Sequence, residues 1–234
     1  MYDNIDSKIK QLEEKIQTAC LRAGRKRGEV RLMGVTKFHS IEAVEAAQKA
    51  ELKLFGENRV QEAKEKFTEF WNAHGRESAE LHLIGSLQSN KAKIAASFFD
   101  CIQSVDRESL IRELGALTQG RQNPLMVLLE YHTGEETKNG FPDRDSLFRA
   151  AEMVLSFPGL KPAGLMTMAP FTDDQAAIRS SFRKLYTARD ELEKRFKGYW
   201  SCLSMGMTSD FEIAIEEGSS LVRIGTAIFG ERVK

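Results

Sequence analysis

Three places in the sequence hold residue types that could do chemistry together. The first is Lys37, which closes the apolar run Val30-Arg31-Leu32-Met33-Gly34-Val35-Thr36. An amine at the mouth of an apolar cavity loses solvation and can attack a carbonyl as a Schiff-base nucleophile. The second is a pair of glycine turns, Ser204-Met205-Gly206-Met207-Thr208-Ser209-Asp210 and Arg223-Ile224-Gly225-Thr226. Glycine lets the backbone come close to a ligand, and the exposed N–H groups that open a helix favour an anion such as phosphate. The third is Arg223, flanked by Val222 and Ile224. A buried guanidinium must be paired or must face a polar opening.

Each feature also has a plain structural reading. Lys37 reads equally as a solvated surface lysine. Ser209-Asp210-Phe211-Glu212 reads as a capping box, which explains Ser209 without a ligand. Arg223 reads as half of a structural ion pair with Glu57 or Asp106. Other chemistries have little support. His39, His74, His82 and His132 form no i,i+4 pair and no Cys-x-x-Cys occurs, so a metal site is not expected. A Gly-x-Ser-x-Gly elbow is absent, and the aromatic residues suit packing rather than base stacking.

The elements that must position these residues follow a βα rhythm. Short apolar, β-prone runs recur at 30–36, 52–58, 81–86, 101–106, 125–131, 162–168, 200–206 and 221–230. Between them lie helical stretches at 41–50, 59–71, 90–99, 107–117, 144–157, 173–196 and 210–218. Runs that are apolar throughout, rather than alternating, are those of parallel strands buried on both faces. An open doubly wound sheet and a closed barrel both accept the pattern. Eight units within this length, and no Gly-x-Gly-x-x-Gly after the first run, favour a single (β/α)8 TIM-type barrel. Its reactive groups should then lie at the C-terminal ends of the strands. Ile5, Ile9, Leu12, Ile16 and Cys20 form the apolar stripe of an additional N-terminal helix. That helix is expected outside the barrel or in place of a final one. With no linker or low-complexity tract, one domain is expected over 1–234, with the helix and its connection at 1–28 and the barrel at 29–230. The longest loop candidate, 133–145, falls after strand five.

Composition narrows the class. The chain has 234 residues, with 34 Lys+Arg balanced by 34 Asp+Glu, which argues against binding to nucleic acid or to a membrane surface. A 41% hydrophobic content can build a core. Cys20, Cys101 and Cys202 are too few and too far apart for a disulfide scaffold. The polar N-terminus and the lack of a long apolar stretch predict a cytoplasmic, soluble protein.

Six motifs, in order, carry a resemblance. They are Val35-Thr36-Lys37; Phe55-Gly56-Glu57-Asn58 with Val60-Gln61-Glu62; His82-Leu83-Ile84-Gly85 with Leu87-Gln88 and Asn90-Lys91; Gly164-Leu165-Met166-Thr167-Met168; Ser204-Met205-Gly206-Met207 with Asp210; and Val222 to Gly230. Together they resemble the pyridoxal phosphate homeostasis protein family, whose barrel is similar to the N-terminal domain of alanine racemase. The resemblance implies binding of pyridoxal 5′-phosphate (PLP), with Lys37 as the covalent Schiff-base lysine. It implies Ser204, the backbone of Gly206 and Met207, Gly225 and Thr226 around the phosphate, Arg223 facing the pyridine nitrogen, and Asn58 on the ring side. It also implies Met168 where alanine racemase has a ring-stacking histidine, and Lys138 in the loop after strand five. Three features depart from the family pattern: His132 in place of an asparagine, a shorter strand-five loop, and Thr208 in place of a serine.

The resemblance implies reversible holding and release of PLP rather than turnover. An arginine only donates, so it leaves the pyridine nitrogen unprotonated and weakens an electron sink. No acid/base pair is evident, and the sequence runs only four residues past Gly230, leaving no racemase-like second domain in view. The expected partners are PLP itself and apo PLP-dependent enzymes as acceptors, with the chain a monomer. The rival readings are a PLP-dependent amino-acid racemase-like enzyme, a Schiff-base aldolase acting on a phosphosugar, and an interaction protein with no ligand.

Overall fold

A computed structural model describes residues 2, 4–134, 139–197 and 199–231. Its centre is a closed barrel of parallel strands in sequence order. The strands are β1 (Arg31–Val35), β2 (Leu54–Glu57), β3 (Glu80–Leu83), β4 (Cys101–Val105), β5 (Leu125–Glu130), β6 (Leu160–Met166), β7 (Cys202–Ser204) and β8 (Leu221–Ile224). The helices between them are α2 (Ile41–Lys49), α3 (Val60–His74), α4 (Ala92–Phe98), α5 (Glu108–Leu117), α6 (Arg144–Leu155), α7 (Gln175–Arg195) and α8 (Phe211–Glu216). All eight expected runs become strands, and the barrel closes where β1 pairs with β8 through Met33↔Arg223 and Gly34↔Ile224.

The sequence alternates within each strand even though both faces are buried. Leu32, Leu81, Ile102, Val127, Val222 and Ile224 belong to the large apolar cluster shared with the helices. Met33, Leu54 and Leu221 form a separate small cluster, as do Cys101, Leu128 and Met166. These six are the inward set, since successive side chains on a strand point to opposite faces. Counting on by two from them, and from Cys202 packed against both clusters, places Gln103, Glu130, Ser204 and Arg223 inside the barrel as well. Arg223 therefore sits between two apolar neighbours because it alternates with them.

The N-terminal helix α1 (Ile5–Arg22) buries Ile5, Ile9, Leu12, Ile16, Ala19 and Cys20. It packs on α2, α8 and the short α9 (Thr226–Phe229), and so closes the outer ring where a helix after β8 would lie. Arg22 pairs with Glu212 and Glu216, while Arg179 joins Glu216 to Glu217, a charged seam linking α1, α8 and α7.

The eighth strand differs from expectation. It ends at Ile224, and Thr226–Phe229 forms one helical turn instead of continuing the strand. Gly225 breaks the ladder, and the N–H groups of Ile228 and Phe229 turn back to its carbonyl. The third and seventh strands likewise end before their apolar runs do, at Leu83 and Ser204.

Strand β6 carries one extra residue against β5, where Val127 faces Pro162 but Leu128 faces Gly164. The bulge accommodates Pro162 within a barrel strand. It also presses Gly164 against β7, so that a Cβ there would lie 1.8 Å from the carbonyl oxygen of Cys202. Gly164→Ala is expected to lose on the order of 3 kcal/mol or more of stability, read from the urea midpoint, since backbone must move to admit the methyl group.

Candidate functional site

Lys37 stands two residues beyond the end of β1 and is half-buried. The peptides on either side of it are clamped. Lys66, on α3, is nearly buried; its ammonium donates to the carbonyl oxygen of Thr36 at 2.7 Å and to Glu57 Oε1 at 2.8 Å. Thr36 donates its hydroxyl to the same Glu57 oxygen at 2.7 Å. On the far side, Glu62 Oε1 accepts the N–H of Phe38 at 2.6 Å, and Phe38 takes a left-handed conformation with φ 65°. A bulky residue rarely adopts that conformation, and such strain persists only where the surroundings impose it. Here a buried ion pair and a carboxylate do so.

Glu57 is fully buried and its Oε2 has no partner. Burial pushes its carboxyl above the usual range, while Lys66 and Thr36 pull it back down. The pair with Lys66 matters for position more than for net stability, because desolvation offsets much of the Coulomb attraction.

Gly225 and Thr226 follow β8, the neighbour of β1 in the barrel. A Cβ on Gly225 would lie 3.3 Å from the carbonyl oxygen of Val35, so this turn runs directly against the chain leading to Lys37. The first N–H groups of α9 have no intrahelical acceptor and open toward the mouth of the barrel. Gly206 has φ +96°, and a Cβ there would meet Ala214 and Phe211 of α8 at 2.6 and 3.0 Å. Only glycine lets that turn lie flat on the start of the helix. The N–H of Met207 already points at an anion, the Oδ1 of Asp210 at 2.6 Å. The capping box expected at Ser209 does not form. Asp210 is the cap residue of α8, its carboxylate turns back to Met207, and Ser209 is exposed.

Arg223 is only 4% exposed. Its Nη1 donates to both the carbonyl and the hydroxyl oxygen of Ser204 at 2.7 Å, and its Nη2 donates to the carbonyl of Thr167 at 2.8 Å. The expected alternative partners are taken elsewhere, Glu57 by Lys66 and Asp106 by Arg107. Burial lowers the proton affinity of the guanidinium, while Asp210 and Glu130 restore part of it. Three of its N–H bonds are used in this way, and a guanidinium has five, so two have no acceptor among the described residues. Ser204 is fully buried and also donates to Gln103 Oε1 at 2.6 Å. Its hydroxyl hydrogen goes to Gln103, and its oxygen accepts from Arg223.

The remaining expected residues close the same rim. Asn58, beyond β2, is half-buried, with its backbone lying where a Cβ on Gly85 would collide at 2.3 Å. Met168, beyond β6, is half-buried over Met166 and Leu128. Lys138 lies outside the described residues. Lys37, Asn58, Met168, Gly206, Met207, Gly225 and Thr226 thus follow the C-terminal ends of five strands of one ring, with Arg223 below them. A recess of 340 Å3 beside Met207 is lined by Ala169, Pro170, Phe171, Asp210 and Ile213. A wider concavity of 1060 Å3 opens on the opposite face among Arg25, Arg31, Met126, Cys202 and Ser220. Its arginines are engaged, Arg25 by backbone carbonyls and Arg31 by Glu80, and barrels of this kind do chemistry at the other end.

Sequence reasoning missed Lys66, Gln103, Thr167 and Glu130. The first three are ordinary polar residues whose role exists only through contacts across the barrel. Glu130 was legible as a carboxylate ending an apolar strand. It is buried, and desolvation together with nearby Asp106 raises its carboxyl from 4.5 to about 7 against the pull of Arg223.

Residues 8–233 match the family model described as alanine racemase, N-terminal domain. The pyridoxal phosphate homeostasis protein of Aquifex aeolicus is 38% identical over 229 residues, covering 98% of this chain and 99% of the relative. The chain belongs to the pyridoxal phosphate homeostasis protein family. The member from Vibrio cholerae is 37% identical over 230 residues, covering 98% of this chain and 97% of the relative. A solved structure of PipY from Synechococcus elongatus with PLP bound superposes with TM-score 0.80 at 32% identity, covering 93% of this chain and 99% of that one.

The donor set suits the group that PipY carries. PLP offers an anion, an aldehyde and a ring nitrogen acceptor; the family fold here provides glycine turns with outward N–H groups, a clamped lysine and a guanidinium with two N–H bonds to spare. Among the described residues, no group of three or more His, Cys, Asp or Glu side chains could hold a metal ion, and no helix is long and apolar enough to cross a membrane.

Two outcomes follow from the buried charges. Lys66→Met leaves Glu57 uncompensated, and denaturant unfolding is expected to show a loss of about 3–5 kcal/mol. For Glu130, the raised carboxyl means that the folded state holds its proton more tightly than the unfolded one. Its destabilising effect is absent below pH 4.5, grows as pH rises, and is complete above about 7. Glu130→Gln is expected to melt higher than wild type at alkaline pH, with the two converging in acid.

Proposed function

We propose that this chain holds PLP at the C-terminal mouth of its barrel and releases it again, buffering and delivering the cofactor. Lys37 supplies the amine, kept in reach by the clamp of Lys66, Glu57 and Glu62 on its flanking peptides. The turn at Gly225-Thr226 receives the phosphate through backbone N–H groups, with Gly206 and Met207 beside it; the Met207 N–H exchanges its bond to Asp210 for one to the phosphate. Arg223 donates to the pyridine nitrogen, with Asn58 and Met168 bounding the ring. The observation that carries this reading is the state of Arg223: dry, anchored by Ser204 and Thr167, and still holding two N–H bonds for an acceptor.

A cation in that place disfavours protonation of the ring nitrogen and so weakens stabilisation of a carbanion. The two other expected properties, delivery to apo PLP-dependent enzymes and a monomeric chain, belong to the same proposal. A second reading has one specific observation in its favour. Glu130, titrating near neutrality beside Arg223, is a group that could move a proton in a racemase-like reaction.

Protein incubated with PLP and reduced with borohydride is expected to gain the mass of one pyridoxyl group, mapped by peptide digestion to Lys37 and lost in Lys37→Ala. Unchanged labelling of Lys37→Ala would falsify the assignment of that lysine. Incubating the loaded protein with L-amino acids separates the two readings. Turnover to the D-enantiomer on the order of 1 per second or faster, abolished in Glu130→Gln, would favour the enzyme.

A further inference from the structure

A single file of hydrogen bonds runs through the barrel interior and ends on Arg223. It begins at Glu80, which is held by Arg31 at the opposite face. His82 Nε2 lies 2.7 Å from Glu80 Oε1, and Gln103 Nε2 lies 2.7 Å from His82 Nδ1. Ser204 donates to Gln103 Oε1 at 2.6 Å, and Arg223 donates to Ser204 Oγ at 2.7 Å. His82, Gln103, Ser204 and Arg223 are all buried. The file crosses β3, β4, β7 and β8, and each link fixes the polarity of the next.

A carboxylate can only accept, so His82 must carry its hydrogen on Nε2. Its Nδ1 then accepts from the amide of Gln103, which in turn presents its carbonyl to Ser204. The Ser204 hydrogen is drawn inward, leaving the oxygen lone pairs for Arg223. We propose that His82 is a positioning residue for the cofactor site, its neutral Nε2–H form setting through Gln103 and Ser204 the orientation of Arg223. The inference rests on the reading of the barrel mouth as a PLP site.

Protonation of His82 would reverse the file. With hydrogen on both ring nitrogens, His82 requires Gln103 to turn its carbonyl inward. The Gln103 amide then faces Ser204, whose own hydrogen loses its acceptor just where Arg223 also donates. An unmatched donor in a dry interior is costly, so Arg223 must shift.

Burial opposes ionisation of Glu80, but hydrogen bonds from His82 and Arg31 outweigh it and pull that carboxyl down to about 2. Glu80 therefore stays an acceptor at any ordinary pH. Burial pushes the Cys101 thiol far up and the Cys202 thiol to about 11, so both are neutral. Asp100 and Arg31 act on the Cys101 thiol, and Arg223 acts on Glu130, while Glu57 on β2 is turned outward to Lys66.

PLP is titrated, by its absorbance change, into wild type, His82→Asn and His82→Leu between about pH 5.5 and 8.5. Asparagine can accept from Gln103 but cannot titrate, whereas leucine leaves the Gln103 amide unmatched. At the alkaline end His82→Asn should bind within about twofold of wild type, and His82→Leu roughly three- to tenfold more weakly. The cofactor phosphate and the Lys37 amine are common to all three proteins, so the difference isolates residue 82. His82→Leu binding PLP as tightly as wild type would overturn the inference. Failure of wild type to take up PLP would instead overturn the reading of the site. Nitrogen NMR of the ligand-free wild type keeps the idea testable if the variants misfold: hydrogen on Nε2 and a bare Nδ1 at alkaline pH are expected, and the reverse tautomer would sink it.

Discussion

Much of this molecule is organised around keeping one guanidinium dry without giving it a carboxylate in direct contact. Arg223 is held by the carbonyls of Ser204 and Thr167 and by the Ser204 hydroxyl. Those oxygens are available because β6 and β7 end there, where strand carbonyls point to the barrel mouth. A carboxylate partner would have neutralised the site. Carbonyl dipoles stabilise the charge while leaving it able to attract another acceptor, which is the electrostatic condition for recognising a ring nitrogen from below. The polar set above the apolar layer of Met33, Leu54 and Leu221 follows from that one demand.

The second constraint is mechanical. Lys37 is not itself built into a strand, yet its neighbours on both sides are tied to α3 through Lys66 and Glu62. The ties cost a desolvated Glu57 and a left-handed Phe38. Features that lower stability in this way belong where geometry must be exact to a fraction of an ångström. The Gly225 turn packs against the same segment from β8, so the loop bearing Lys37 and that turn are in direct contact. Closure of the barrel between β1 and β8 is what brings them together, though they are separated by nearly the whole chain.

Reversible holding of a cofactor needs less than catalysis does. It needs a grip on the anion, a nucleophilic amine and a ring acceptor partner, the roles proposed for the Gly225-Thr226 turn, Lys37 and Arg223. Glu130 is the feature that such a role does not require, a carboxyl kept near neutrality beside the guanidinium. Its burial follows from the same inward alternation as that of Arg223.

The sequence by itself determined the strands and helices, their order and the identity of the rim residues. Apolar runs and helical periods depend on neighbours along the chain, and chemistry at strand ends follows from barrel topology. It also carried the family resemblance, because motifs such as Ser204-Met205-Gly206-Met207 are local. Only the tertiary structure decided the partners. That Ser204 bonds Gln103 and Arg223, and that strand eight stops at Gly225, depend on groups tens of residues away. Gln103 and His82 look like any polar residues in a buried run until the barrel closes and aligns them. A hydrogen bond is decided by where two atoms meet in three dimensions, and for side chains crossing a barrel no spacing along the chain records that meeting.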